Sequence, residues 1–286
     1  MLNQVHPELS SGQKVVNHAL AEDLSWGDIT TEALIPHNQH GRACLVAKAS
    51  GVLAGVEVAK EVFLRVDPEL GVEVLIQDGS KVQPEDIIAR VRGRISSILK
   101  AERTALNFLQ RLSGIASETN RYVEAVKGLS VRIMDTRKTT PGLRLLEKYA
   151  VKVGGGENHR MNLGNGILIK DNHLAALRSQ GLNIKEIVAR ARQNASPRLK
   201  VEVEVGTVQE AVEAAEAGAD IIMLDNMSLE DMRIAVKSIH GRALIEASGG
   251  ITLDRVRAIA ETGVDFISIG ALTHSARALD ISLELG

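Results

Sequence analysis

Lys200-Val201-Glu202-Val203-Glu204-Val205 and, after a helical stretch, Asp220-Ile221-Ile222-Met223-Leu224-Asp225 form one strand–helix–strand repeat. Short β-branched runs separated by helical segments are the signature of a parallel sheet with crossover helices. Glu202 and Glu204 alternate along their strand, so both point to the same side of the sheet, which in a closed barrel is the interior. A carboxylate in such apolar company is costly unless something satisfies it. Interior acids of this kind imply cations or ligand hydroxyls nearby.

The same pattern extends on both sides. Val131–Asp135, Ala150–Gly154, Ile167–Lys170, Ala243–Ala247 and Asp265–Ile269 are further strand candidates, giving about seven strand–helix units, near the eight of a closed barrel. An open doubly wound sheet has the same periodicity. The barrel is favoured by where the polar residues fall. Thr136-Arg137-Lys138, Gly155 to Arg160, Asp171-Asn172-His173, Asp225-Asn226, Ser248-Gly249-Gly250 and Gly270-Ala271 all follow strand ends, and barrel enzymes carry their chemistry on that one face. Upstream, a helical start at Val15–Ala21 leads into strand-like segments at Arg42–Leu53, Gly71–Ile76 and Ile87–Val91. A helical pattern from Ile95 to Gly114, with glycine as its stop, marks the change of character. The expected organisation is a first domain over residues 1–115 and a barrel over residues 116–286.

Composition narrows the possible functions. The chain has 286 residues, 44% of them hydrophobic but only 2% aromatic, so its cores are aliphatic and a nucleic-acid reader based on ring stacking is disfavoured. A net charge of −2 gives no long-range pull on polyanions, so an anionic ligand needs a local cluster of cations. One cysteine, Cys44, excludes an internal disulfide and any multi-cysteine metal site; its apolar neighbours Ala43, Leu45, Val46 and Ala47 suggest a core position. The N-terminus lacks a basic start followed by an apolar run, and no stretch approaches membrane-spanning length. A cytoplasmic location is the expectation.

The required cations are present. Arg137 and Lys138 follow one strand, His159 and Arg160 the next, and Lys170 ends the third. Arginine's planar fork grips a carboxylate through two parallel hydrogen bonds, whereas lysine acts as a point charge suited to phosphate oxygens. Any one of these would ordinarily be a solvated surface cation; their recurrence at corresponding strand ends points to a site. Glu204 and Asp225 are the acidic counterpart, suited to ribose hydroxyls or to Mg²⁺ directly or through water. Glu202 reads equally as a satisfied structural acid or as a ligand. Ser248-Gly249-Gly250 and Gly270 stand where barrels bind phosphate through backbone N–H groups. Gly154-Gly155-Gly156 lacks the spacing of a dinucleotide fingerprint, and no serine elbow, zinc-binding helix or P-loop pattern occurs.

Taken together, Asp135-Thr136-Arg137-Lys138-Thr139-Thr140-Pro141-Gly142, Gly154 to Arg160, Ile169 to His173, Leu224-Asp225-Asn226, Glu246 to Gly250 and Gly270 to His274 resemble the quinolinate phosphoribosyltransferase family. Glu22-Asp23, Gly27 to Thr31 and Glu102 to Asn107 extend the resemblance over nearly the whole chain; Met227, where an aromatic residue is common, is a slight departure. The resemblance implies an α/β protein, with an incomplete seven-stranded (β/α) barrel behind an N-terminal α+β open sandwich domain, working as a homodimer. It implies transfer of a phosphoribosyl group from phosphoribosyl pyrophosphate to quinolinate with loss of CO2, in NAD biosynthesis, with Mg²⁺ as cofactor and no nucleic-acid or membrane partner. Arg137, His159, Arg160 and Lys170 would surround quinolinate, with Arg103 reaching in from the partner subunit. Lys138, Glu204, Asp225, Ser248, Gly249, Gly250, Gly270 and His274 would hold phosphoribosyl pyrophosphate, with Lys138, Glu204 and Asp225 nearest the chemistry. A related phosphoribosyltransferase with another acceptor, and a non-catalytic phosphate-binding barrel, are the competing readings.

Overall fold

The structure, a computed structural model, describes residues 7–286. The chain forms two compact units. One comprises residues up to Asn120 with Lys138–Gly155 and Ala271–Gly286; the other comprises Arg121–Arg137 and Gly156–Gly270.

In chain order the first elements are α1 (Pro7–Asp23), α2 (Ile29–Leu34), β1 (His40–Ala47), β2 (Gly51–Val52), α3 (Val56–Val66), β3 (Gly71–Val74), β4 (Lys81–Val82), β5 (Ile87–Arg94) and α4 (Ile95–Ala125). The segment read as one strand, Arg42–Leu53, is therefore two. Cys44 is half-buried, not in the core: its cross-strand partners are Arg90 on β5 and Glu284 on the neighbouring C-terminal strand, so it shares their polar face. The core lies on the other face, around Leu45, Leu53, Phe63 and Ile88, all essentially inaccessible.

The expected helix stop at Gly114 does not occur, because α4 runs on to Ala125. Gly114 serves close packing instead: a Cβ there would overlap the carbonyl oxygen of Arg277. A glycine within a helix costs only about 1 kcal/mol relative to alanine, less than that collision.

The remaining elements are β6 (Arg132–Met134), α5 (Arg144–Val153), β7 (Ile167–Ile169), α6 (Asp171–Arg178), α7 (Ile184–Asn194), β8 (Val201–Val205), α8 (Val208–Glu216), β9 (Ile221–Asp225), α9 (Leu229–Ile239), β10 (Leu244–Ser248), α10 (Val256–Ala260), β11 (Phe266–Ser268), α11 (Ala271–His274) and β12 (Ile281–Leu285). Ala150–Gly154, expected as a strand, is the end of α5. Val151-Lys152-Val153 imitates strand alternation over three residues, but the longer run Arg144–Val153 buries Leu146, Glu147, Ala150 and Val151 at helical spacing.

The second unit carries a parallel sheet in the order β6-β11-β10-β9-β8-β7. Pairing of its first strand with its last, β6 with β11, is what bends such a sheet toward a barrel. On the outer side of β6 a single parallel bridge joins Met134 to Glu157 and stands in the seventh strand's place. The barrel is thus incomplete, with six laddered strands and an open seam between the Glu157 segment and β7. Five helices, α6 to α10, follow β7 to β10 as the crossovers, two of them between β7 and β8.

In the first unit a sheet runs β12-β1-β5-β3, all antiparallel, with β2 paired to β4. Its outer strand, β12, comes from the end of the chain.

Candidate active site

In the second unit the strand ends gather the expected side chains. Arg137 is half-buried two residues beyond Asp135 at the end of β6. Fully buried Asp135 accepts the backbone N–H of His159 at Oδ1 over 2.9 Å, which fixes the His159-Arg160 turn beside that strand. Arg160 donates to the carbonyl of Gly166 at 3.3 Å. Burial first, then the charge of Arg137, pulls Arg160 below the ordinary arginine value, while Glu202 opposes the shift. Two guanidinium groups therefore feel each other, with a buried carboxylate behind one of them. An anion placed beside them would favour the charged form of both.

Lys170 and Glu204 face each other across β7 and β8, with Nζ 2.7 Å from Oε2. Asp225, at the end of β9, accepts from the neutral Nδ2 of Asn226 at 2.8 Å and forms no ion pair among the described residues. In register with Asp225 is Ser248 at the end of β10, whose carbonyl accepts from Asn226 N at 3.0 Å. Gly249 follows at φ +89, where a Cβ would stand 2.5 Å from the Asn226 side chain. Only glycine allows the two loops to approach this closely. Gly250 also has positive φ, and Gly270 follows β11.

His159, expected among the cations around the acceptor, lies beside two acids. Its side chain is only 11% exposed, with Nε2 3.3 Å from Glu202 Oε2 and 3.6 Å from Glu246 Oε2. Its Nδ1 accepts the backbone N–H of Arg160 at 2.8 Å. The ring proton consequently sits on Nε2, between the two carboxylates. A metal-binding imidazole does the reverse, donating from one nitrogen to leave a lone pair on the other. His159, hydrogen-bonded to Glu202 with Glu246 close by, thus faces two acids as a proton donor, although the ligand atoms of the trio lie within 4.8 Å of one another. Glu246 is 1% exposed, and its Oε1 has no hydrogen-bond partner. Burial, then the charge of Glu202, pushes its carboxyl up to about 7 against the opposing charge of His159. Ser268 lies beside it, outside hydrogen-bonding geometry. The trio lines a cavity of about 390 Å³ together with Arg160, Met134 and Phe266.

Glu246 is a residue that sequence reasoning passed over. It stands two positions before Ser248 on β10, so strand alternation places both on one face. That signal would have found it.

In the first unit, exposed Lys138 and exposed His274 lie on neighbouring segments, joined by the Thr273 hydroxyl donating to the Lys138 carbonyl at 2.7 Å. Arg103 is exposed on α4. These three are not grouped with the barrel cluster but belong to the other unit.

A parallel barrel whose strand ends offer an arginine pair, a lysine–glutamate pair, an aspartate and glycine-lined loops defines an enzyme for small, highly anionic substrates. Residues 28–113 match the N-terminal domain of quinolinate phosphoribosyl transferase, and residues 115–284 match its C-terminal domain. The chain belongs to the quinolinate phosphoribosyltransferase family. It is 43% identical over 273 residues to the probable nicotinate-nucleotide pyrophosphorylase [carboxylating] of Bacillus subtilis, covering 96% of this chain and 93% of that protein. It is 42% identical over 284 residues to the nicotinate-nucleotide pyrophosphorylase [carboxylating] of Mycobacterium leprae, covering 97% and 98%. Among solved structures, NadC from Streptococcus pyogenes superposes with a TM-score of 0.93 at 43% identity, over 100% of this chain and 99% of that one.

Proposed function

We propose that this protein transfers the phosphoribosyl group of phosphoribosyl pyrophosphate to quinolinate and releases CO2 and pyrophosphate, leaving nicotinate mononucleotide for NAD biosynthesis. The observation that carries this reading is the Arg137–Arg160 pair in the barrel. Two mutually repelling forks, partly desolvated, suit an acceptor with two adjacent carboxylates. Lys170, held by Glu204, is the adjacent point charge. His159 contributes by fixing the Arg160 backbone more than by its own charge.

The pyridine nitrogen attacks the anomeric carbon as the bond to pyrophosphate breaks, and positive charge develops on the ribose. Glu204 and Asp225 are the carboxylates that favour this charge and accept from ribose hydroxyls. Ser248, Gly249, Gly250 and Gly270 bind the phosphate through backbone donors, while Lys138 and His274 bind the pyrophosphate side. Cations matter here because two polyanionic substrates repel each other until they are neutralised and aligned. The second stage breaks the bond between the ring and the carboxylate next to the alkylated nitrogen. The electron pair stays on the ring carbon, stabilised by the adjacent positive nitrogen, and that carbon then takes a proton.

Asp225, half-buried with only a neutral amide as partner, fits a hard divalent cation. Asp225 would hold such an ion, and Mg²⁺ bound there would supply charge neutralisation for the departing pyrophosphate. The working form is a cytoplasmic homodimer in which Arg103 reaches the partner subunit's quinolinate; exposure of Arg103, Trp26 and Ile29 supports this. Among the described residues no helix is long and apolar enough to cross a membrane.

The test is to incubate the protein with Mg²⁺, phosphoribosyl pyrophosphate and carboxyl-labelled quinolinate, with nicotinate as a parallel acceptor. Labelled CO2 and nicotinate mononucleotide should appear together. Arg137→Ala should abolish quinolinate binding with an unchanged melting temperature, because the residue sits in a loop. Wild-type quinolinate affinity in that variant, or turnover of nicotinate alone, would overturn the assignment.

A further inference from the structure

Glu147 on α5 is completely inaccessible to solvent, and the reaction outlined above makes no use of it. A buried carboxylate is tolerated only when donors surround it, and Glu147 has four hydrogen bonds. Its Oε1 accepts from Arg111 Nε at 3.2 Å, Arg111 Nη2 at 2.8 Å and Thr140 Oγ1 at 2.7 Å; its Oε2 accepts from Thr140 N at 3.0 Å. Arg111, from α4, uses its remaining donors on another segment: Nη1 donates to the carbonyl of Ala276 at 3.2 Å and Nη2 to that of Thr273. Thr273, also fully buried, closes the circuit through its hydroxyl to the Lys138 carbonyl at 2.7 Å.

The circuit ties together two segments far apart in sequence, the loop after β6 that carries Lys138 and the α11 turn that carries His274. Neither segment pairs in a strand ladder at these positions, and the ion pair and the Thr273 hydroxyl join the two segments directly. We infer that Arg111, Glu147 and Thr273 are positioning residues that set Lys138 and His274 for the phosphoribosyl donor. The inference rests on the donor-binding roles given above to Lys138 and His274. Arg111 satisfies the pattern because its planar fork reaches the carboxylate and both carbonyls at once, which a lysine cannot do. Displacing a binding group by about 1 Å can lower rates about 10²-fold, so loosening the circuit should be felt by the donor and not by the acceptor.

The experiment compares steady-state constants for both substrates in wild type, Thr273→Val, Thr273→Ser and Glu147→Gln, with melting temperatures alongside. Thr273→Val keeps the side-chain shape and removes the hydroxyl that donates to Lys138. It should raise the KM for phosphoribosyl pyrophosphate about three- to tenfold, the loss expected of one buried hydrogen bond, and leave the quinolinate KM within about twofold. Thr273→Ser, which restores the hydroxyl, should return the donor KM to the wild-type value. Glu147→Gln should lower kcat/KM for the donor on the order of 100-fold; if it fails to fold, Thr273→Val decides the matter. A folded Thr273→Val with unchanged donor KM, or with both KM values rising together, would overturn the inference. Should wild type not turn over quinolinate at all, the functional reading fails separately. Calorimetric titration of phosphoribosyl pyrophosphate into wild type and Thr273→Val then tests the positioning role directly.

Discussion

Replacing Glu246 by glutamine isolates the energetic cost of the charged trio inside the barrel. In the folded protein its carboxyl is pushed up to about 7 from an ordinary 4.5, so the fold binds this proton more tightly than the unfolded chain does. Stability is therefore fully present at and below about pH 4.5 and is lost as pH rises through about 7. A difference of about 2.5 pKa values corresponds to roughly 3 kcal/mol. The groups facing Glu246 are Glu202 from β8, His159, Ser268 from β11 and Lys170 from the end of β7. The substituted amide cannot ionise and keeps the carboxyl's shape beside His159. Urea unfolding followed by circular dichroism between about pH 5 and about pH 8 is the assay, since Trp26 is 90% exposed and a poor reporter of the core. Relative to wild type, Glu246→Gln should gain roughly 3 kcal/mol across that interval. Curves that stay parallel would refute the reasoning and show that the carboxyl ionises at its ordinary value.

Two further perturbations follow from packing and charge in the first unit. Asp67 is held down to about 2 chiefly by Arg94, against the opposing effect of burial and with help from Ser97 and the Glu69 N–H. Its contribution is present above its ordinary value and lost as pH falls toward about 2, so Asp67→Asn should be less stable than wild type near neutrality and converge with it in acid-unfolding titrations. Gly154→Ala should destabilise by about 2–4 kcal/mol in thermal unfolding, because a Cβ there would overlap the Ala116 carbonyl and stand 2.7 Å from Thr119 Cβ.

The strands of the second unit were legible because Val201–Val205, Ile221–Asp225 and Leu244–Ser248 combine β-branched runs with polar termini, a pattern that survives any tertiary context. Ala150–Gly154 was misread because three alternating residues outweighed the helical spacing before them. Gly114 was misread because a glycine that permits close approach has the same letter as one that ends a helix; only the distant Arg277 distinguishes them. The gathering of Arg137, Arg160, Lys170, Glu204, Asp225 and Ser248 in one unit was foreseeable from their common position at strand ends. The orientation of His159 was not, since it depends on a hydrogen bond from its neighbour's backbone and on two acids over forty residues away. The Arg111–Glu147–Thr273 circuit was equally invisible, its members being spread across α4, α5 and α11 with no spacing to link them.

The last strand of the chain, β12, is the outer member of the sheet whose other strands all lie before residue 95. During synthesis the first sheet must therefore wait, with the exposed edge of β1 unpaired, until the whole barrel has been made. Long-range pairings of this kind slow folding and leave strand edges open to other chains. Loss of Ile281–Leu285 would remove the strand that pairs with β1 and expose that edge permanently.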